Sequence, residues 1–223
     1  MQRNILVIGD THIPFEHKNY LAFCKETQKK FKCDTIIHIG DLVDNHAISF
    51  HDKDPDGRSA SDEIKLADRS LKKWYKAFPK VQVVEGNHCN MVARKAFKHY
   101  LPKRCFKNFH DIWNLPTKWE YAFDYFHYGI RFFHGMGYGG KYAHKNAIND
   151  NRCSVVMGHL HSNAGVEWTA SERDILFGMA VGCGIDRNKY AFNYGRDFAR
   201  KPILGAGVVL ENGKYAQFIP MKL

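Results

Sequence analysis

Four short aliphatic runs mark the chain: Asn4–Gly9 (NILVIG), Thr35–Gly40 (TIIHIG), Val81–Glu85 (VQVVE) and Ser154–Gly158 (SVVMG). Brief apolar runs rich in Ile and Val, each bounded by a polar residue or glycine, read as buried strands. Between them the apolar period lengthens. From Asp62 to Phe78 the positions Ile64, Ala67, Leu71, Trp74, Tyr75 and Phe78 recur at helical spacing, with Lys65, Arg69, Lys72, Lys73 and Lys76 on the other face and Ser59 or Ser61 placed to cap. Further helices are expected over Asn19–Phe31 and Asn90–Tyr100, the latter stopped by Pro102. Strand followed by helix, repeated, predicts βα units. The stretch from there to residue 120 carries no clear period.

Near residue 119 the period becomes two. Tyr121, Phe123 and Tyr125 alternate with Ala122, Asp124 and Phe126, Gly129 interrupts, and Ile130–His134 resumes, which predicts a hairpin feeding a second sheet. Gly205–Glu211 and Lys214–Pro220 flank Asn212-Gly213, a strong hairpin signal. The fold class is therefore α/β (α+β), beginning in βα units and ending in antiparallel strands. Lys53–Ser61 reads as a surface loop. With no repeat and no long linker, residues 1–223 are expected to form a single domain.

Composition narrows the class. Apolar residues at 44% and charged residues at 25% suit a chain that buries a core, and exclude disorder and coiled coil. No apolar run is long enough to cross a bilayer and no signal h-region is evident, so a cytoplasmic protein with no membrane association is expected. The six cysteines form no CxxC pair and are expected to be reduced and mostly buried. Lys and Arg number 33 against 23 Asp and Glu, a net +10 that suits phosphate-bearing partners without implying catalysis.

The chemistry sits where the expected strands stop: Asp10-Thr11-His12, Gly40-Asp41, Gly86-Asn87-His88, His134-Gly135 and Gly158-His159-Leu160-His161. Open α/β sheets place their sites at that edge. A carboxylate, amide and imidazole set without thiolates suits Mn, Fe, Zn, Co or Ni. Seven such groups exceed the needs of one ion. Shared between two ions through a bridging carboxylate, they leave positions open for water and substrate, the arrangement used for displacement at phosphorus.

This ordered set of D-x-H, G-D, G-N-H, H-G and G-H-x-H, from residue 10 to residue 161, resembles the calcineurin-like metallophosphoesterases. The resemblance implies a four-layer sandwich of two mixed β-sheets flanked by helices. It implies two divalent metal ions, Mn first, with Asp10, His12 and His161 on one, Asn87, His134 and His159 on the other, and Asp41 bridging. His88 would be the proton donor beside the leaving oxygen, and a metal-bridging hydroxide would attack phosphorus without a covalent intermediate. Asn45 and His46 follow Asp44 where protein phosphatases of this kind carry Arg-Gly, which argues against a phosphoprotein substrate. Cys89 stands where many members have an acid, which leaves Asp44 as the carboxylate expected to orient His88.

Singly, each of these groups has an ordinary explanation as a turn former, a cap or a core histidine; together, in order, they favour the metal site. His17, His51, His99, His110, His127 and His144 are expected at the surface or in packing, His38 in the core, and His46 within possible reach of a substrate. Residues 94–107 hold Arg94, Lys95, Lys98, Lys103, Arg104 and Lys107, no acid, and interleaved Phe97, Tyr100 and Phe106. Arg94, Lys95, Lys98, Lys103 and Arg104 are thus candidates for binding a phosphodiester backbone, against the alternative of a solvated helix face over core aromatics. A later cluster, Arg187, Lys189, Arg196, Arg200 and Lys201 with Tyr190, Phe192 and Tyr194, points the same way. The expected function is a dinuclear phosphoesterase that cleaves phosphodiesters in DNA or RNA. The alternatives are a phosphatase or phosphodiesterase for a nucleotide or other small phosphate ester, and a catalytically silent binding module on the same scaffold.

Overall fold

The computed structural model describes residues 3–50 and 53–222. Of the strands, β1 (Ile5–Ile8), β2 (Thr35–His38), β3 (Val81–Val84) and β4 (Trp119–Ala122) run parallel in one sheet, which β10 (Gly205–Leu210) and β11 (Tyr215–Pro220) extend antiparallel in the order β11-β10-β1-β2-β3-β4. A second mixed sheet holds β5 (Asp124–His127), β6 (Ile130–Phe133), β7 (Ser154–Met157), β9 (Ile175–Val181) and β8 (Ala164–Ala170), in that spatial order.

The alternation of side chains along β1 explains the layering. Ile5 and Val7 face the second sheet and join Ile37, Ile39, Phe132, Val156, Phe177 and Met179 between the sheets. Leu6 and Ile8 face the other way, into a core with Tyr20 and Cys24 of α1 (Tyr20–Phe31) and Ala67, Leu71 and Trp74 of α2 (Ala60–Ala77). On the far side, α5 (Ala143–Asn151) sets Ala143, Ala147 and Ile148 against Val155 and Met157. Helix, sheet, sheet and helix make the four-layer α/β sandwich.

The helices stop for local reasons. Ser59, not Ser61, caps α2, its side chain accepting from Asp62 N, and Lys32 closes α1 in the left-handed conformation (φ 49°). Helix α3 is Met91–Lys98, shorter than expected. The unassigned stretch after it contains a 3₁₀ turn at Lys103–Cys105 and α4 (Phe109–Trp113), started by the Asn108 side chain accepting from Asp111 N. In the last hairpin Leu210 pairs with Tyr215, and Glu211 (φ 53°) and Asn212 (φ 56°) make the tight turn, closed by Gly213 N donating to Leu210 O and followed by Gly213 at φ 92°.

One expectation changes. The alternating run from Tyr121 to Tyr125 is two strands: β4 pairs with β3 in the first sheet, the chain crosses at Phe123, and β5 pairs with β6 in the second. Alternation reports a strand with two faces, not the sheet that receives it. Residues 53–59 are mostly exposed and lie outside helix and strand, whereas Ala60 and Ser61 already belong to α2. Among the described residues no helix is long and apolar enough to cross a membrane.

Candidate metal centre

Each of the strands β1, β2, β3, β6 and β7 ends one to three residues before its polar group, so the ligand types sit on the loops just past the strands. His12, Asp41 and His159 adopt positive φ (48°, 46° and 68°), which turns their side chains back over the sheet edge instead of continuing the strand. Glycine is required beside them. A Cβ on Gly86 would fall onto the Asp41 carboxylate and main chain, and one on Gly158 onto Asp10 Oδ1.

The carboxylates are anchored by main chain. Asp41 Oδ1 accepts from His88 N at 2.7 Å, and Asp10 Oδ2 accepts from His159 N at 2.9 Å. The imidazoles are oriented by what holds their second nitrogen. His134 Nδ1 donates to Ile39 O (3.0 Å), leaving Nε2 3.1 Å from both Asp41 Oδ2 and Asn87 Oδ1. His12 Nδ1 lies 2.5 Å from Asp44 Oδ1, so its Nε2 meets His161 Nε2 at 3.0 Å. His88 Nδ1 donates to Asp44 O at 2.6 Å and sits 3.3 Å from Asp44 Oδ1. Asp44 thus reaches His88 chiefly through its carbonyl, and its carboxylate makes the shorter contact to His12.

Three sets of ligand atoms cluster within 4.8 Å: Asp10, His12 and His161; Asp41, His134 and His159; and His12, Asp41 and His88. Asn87 joins the second set through His134. All seven ligand candidates and His88 come together where strands of both sheets end, Asp10, His12, Asp41, Asn87 and His88 from the first sheet and His134, His159 and His161 from the second.

Burial would raise Asp41, but His134 and His88 outweigh it and hold the carboxyl well below its ordinary value; Asp10 is lowered in the same way, mainly by His134. Burial opposes charge on His134, yet Asp41 and Asp10 push it up to about 9. His88 is also raised, burial being overcome by Asp41 and Asp44. His12 falls well below its usual value through burial and the neighbouring His88 and His161, and His159 falls through burial and His134. Burial lifts Asp44 to about 6. Two imidazole Nε2 atoms 3.0 Å apart need a proton or a cation between them, and His12 and His134, each held through Nδ1, turn Nε2 inward. Such a donor set, with two carboxylates and an amide oxygen, fits divalent cations.

A cavity of about 550 Å³ opens over the cluster. His12, Asp41, Asn87, His88, His159 and His161 line one part of it, and the segment 185–202 the rest, including Arg187, Arg196, Arg200, Lys201, Phe192 and Phe198. Lys189, from the same basic cluster, is outside the lining and pairs with Asp186 at 3.9 Å. Arg94, Lys95, Lys98, Lys103 and Arg104 do not line this cavity. Arg94 comes nearest, its Nη1 donating to Asn87 O at 3.1 Å, and Lys103 lines a separate hollow beside α3.

His46 is buried under the site with Nδ1 3.8 Å from Asp44 Oδ2, and lies outside the cavity lining. His38 is in the core, bonded to Thr11 Oγ1. His17, His99, His110, His127 and His144 stand away from the cluster, and His51 lies outside the described residues. Glu63 escaped sequence reasoning. It is a buried acid on the inner face of α2 whose two oxygens accept from His46 N (2.7 Å) and Ala47 N (2.8 Å), bracing the loop that carries Asp44. Its burial shows only once α2 packs.

Residues 3–197 match the family profile of the calcineurin-like phosphoesterases. No curated protein matches the chain. Among solved structures, vacuolar protein sorting 29 from Cryptosporidium parvum superposes with a TM-score of 0.51 at 12% identity, covering 99% of this chain and 92% of that one, a likeness of fold. A single mutant of Vps29 from Entamoeba histolytica gives 0.40 at 11% identity, with 98% and 99% covered. Chaetomium thermophilum Vps29 gives 0.38 at 14% identity, with 92% and 83% covered.

Proposed function

This chain belongs to the calcineurin-like phosphoesterase family, and we propose that it hydrolyses phosphodiester bonds with two divalent cations held by the clustered side chains. Asp10, His12 and His161 would hold one cation, Asn87, His134 and His159 the other, with Asp41 shared. The cations, Mn first among Fe, Zn, Co and Ni, would supply Lewis-acid polarisation of phosphoryl oxygens and ease deprotonation of water near neutral pH.

The chain's own groups do the rest. Ile39 O and the Asp44 carboxylate fix the rings of His134 and His12, so that ligand nitrogens are presented without reorganisation. His88 keeps Nδ1 on the Asp44 carbonyl and lines the cavity beside Asp41 and Asn87. A proton given from this ring to the leaving oxygen would contribute about 10²- to 10⁴-fold. Arg187, Arg196, Arg200 and Lys201 make the cavity wall attractive to a substrate with negative charge beyond the scissile phosphate.

The observation that carries the reading is the gathering of all seven candidate ligands and His88 where strands of both sheets end. It favours catalysis over a silent binding module, which has no need of all seven groups and His88. DNA or RNA is the substrate class we propose, supported by the net charge of +10 and the cationic wall. A nucleotide or other small ester is the runner-up. We take residues 1–223 to act as one domain in the cytoplasm.

The test is hydrolysis of bis(4-nitrophenyl) phosphate, 4-nitrophenyl phosphate and a labelled single-stranded oligonucleotide by metal-stripped protein, with and without Mn²⁺. Mn-dependent cleavage of the diester and the oligonucleotide is expected. Turnover of the monoester alone would move the assignment to a small-molecule phosphatase, and no turnover in metal-loaded protein would favour the binding module.

A further inference from the structure

We propose that the outer face of α3, with Phe50, is a docking surface for single-stranded nucleic acid leading to the metal cluster, a proposal that rests on the phosphodiesterase reading above. Three cations surround one ring: Lys95 Nζ lies 4.0 Å from the Phe50 centroid, Arg94 Cζ 5.1 Å and Lys98 Nζ 5.4 Å. Next to them Phe97 and Tyr100 hold their rings in solvent at 85% and 94% exposure. The alternative of core aromatics under a solvated helix face does not describe these two side chains. A hollow of about 430 Å³ runs between Phe50, Phe97 and Lys103.

The occupant follows from the chemistry. Residues 94–107 contain no acid, so the surface is complementary to a polyanion. Exposed flat rings alternating with cations suit a ligand that is itself an alternation of phosphates and aromatic faces. Bases can stack on Phe97 and Tyr100 only when unpaired, which selects a single strand over a duplex. Position makes the surface useful: Asn87 lines the catalytic cavity, and its carbonyl takes Arg94 Nη1 at 3.1 Å. Arg94, one of the three cations around Phe50, therefore joins this face to the rim of the cavity.

The test reads binding apart from hydrolysis. Fluorescence anisotropy of labelled oligothymidylate with the full chain in EDTA is compared for wild type and Phe97→Ala/Tyr100→Ala, two changes at exposed positions that leave the core intact. Kd is expected to rise about tenfold or more, with Mn-dependent turnover of bis(4-nitrophenyl) phosphate unchanged. Lys95→Glu/Lys98→Glu should weaken binding and flatten its salt dependence. If wild type hydrolyses the small diester but the aromatic variant binds oligothymidylate as wild type does, the docking surface is overturned and the phosphodiesterase reading stands. Weakened binding in that variant, with no hydrolysis of any ester by wild type, supports the surface and overturns the reading. Equal affinity for the duplex, or equally strong competition by polyglutamate, overturns the single-strand assignment.

Discussion

The Asp44 carbonyl oxygen lies 2.6 Å from His88 Nδ1, while the Asp44 carboxylate makes its shortest contact, 2.5 Å, to His12. Main chain and side chain of one residue therefore serve two different histidines. A change to the Asp44 side chain should then leave the orientation of His88 largely in place. We expect His88→Asn to lower kcat by about 10²- to 10⁴-fold on an alkyl phosphodiester and much less on bis(4-nitrophenyl) phosphate, whose leaving group departs without a proton. Asp44→Asn should instead lower Mn affinity by about 10- to 100-fold, with equal losses on the two esters. The ratio of the two rates in each variant is the measurement. An unchanged ratio in His88→Asn would remove it as the proton donor.

A cation that binds the folded chain and not the unfolded one raises stability by mass action, by about 2.7 kcal/mol at a hundredfold excess over Kd. For a chain of this length that corresponds to a rise in Tm of about 5 to 10 °C. We expect Mn²⁺ to produce it in wild type after chelation, and Asp41→Asn, at the carboxylate proposed to be shared by both cations, to abolish both the rise and turnover. Differential scanning calorimetry with and without Mn²⁺ checks this. A full rise in the variant would place the ions elsewhere.

Much of this site was legible because its parts are local. A buried strand followed by glycine and a ligand-type residue is a pattern of three or four positions, and Gly86 and Gly158 stand there because the carboxylates of Asp41 and Asp10 occupy the space of a Cβ. Long-range placement was not legible. Nearness to His88 in sequence suggests a basic rim beside the catalytic edge but not its direction; the burial of Met91 and Ala96 fixes the rotation of α3 and turns Lys95 and Lys98 toward Phe50. Arg196 and Arg200, more than a hundred positions from His88, come back to the cavity through the chain that follows β9. The crossing at Phe123 is hidden for the same reason, since β4 and β5 share one alternation and differ only in their partners.

The close approach of Gly86 to Asp41 makes a separable prediction. Gly86→Ala would force the Asp41 carboxylate away from His134 Nε2, now 3.1 Å distant, without touching any ligand. Mn affinity should fall at least about tenfold, as when a supporting group of a metal site is lost. Isothermal titration with Mn²⁺ measures it. Wild-type affinity would show that Asp41 is not held by that contact.

Thiol reactivity should follow burial. Burial raises Cys33 and Cys89 to about 12 and lifts Cys24 and Cys183 further, so their thiolate fraction near neutral pH is negligible in the folded chain. Cys153 is raised more modestly, and Cys105 alone is exposed. With a chromogenic disulfide at mildly alkaline pH we expect one fast thiol, absent in Cys105→Ser, slower reaction of half-buried Cys153, and reaction of Cys24, Cys33, Cys89 and Cys183 only in denaturant. Fast reaction of Cys89 would contradict its placement under Leu42, whose amide its sulfur accepts at 3.2 Å.

The cationic wall makes the last prediction. Arg196 and Arg200 line the cavity but touch none of the clustered ligands, so they can attract substrate without altering the reacting groups. Replacing both with Ser should raise KM for an oligonucleotide by about 5- to 10-fold while kcat changes little, because an interaction present equally in ground and transition states affects binding alone. Raised ionic strength should weaken wild type more than the variant, since screening acts on the charges removed. Lys189→Ser is the control: its ammonium pairs with Asp186 outside the cavity and should have no effect. Steady-state kinetics at two salt concentrations decides. Equal losses in the control and in the double variant would mean that net charge, and not the wall, draws the substrate; a fall in kcat with KM unchanged would move Arg196 and Arg200 into the reacting machinery.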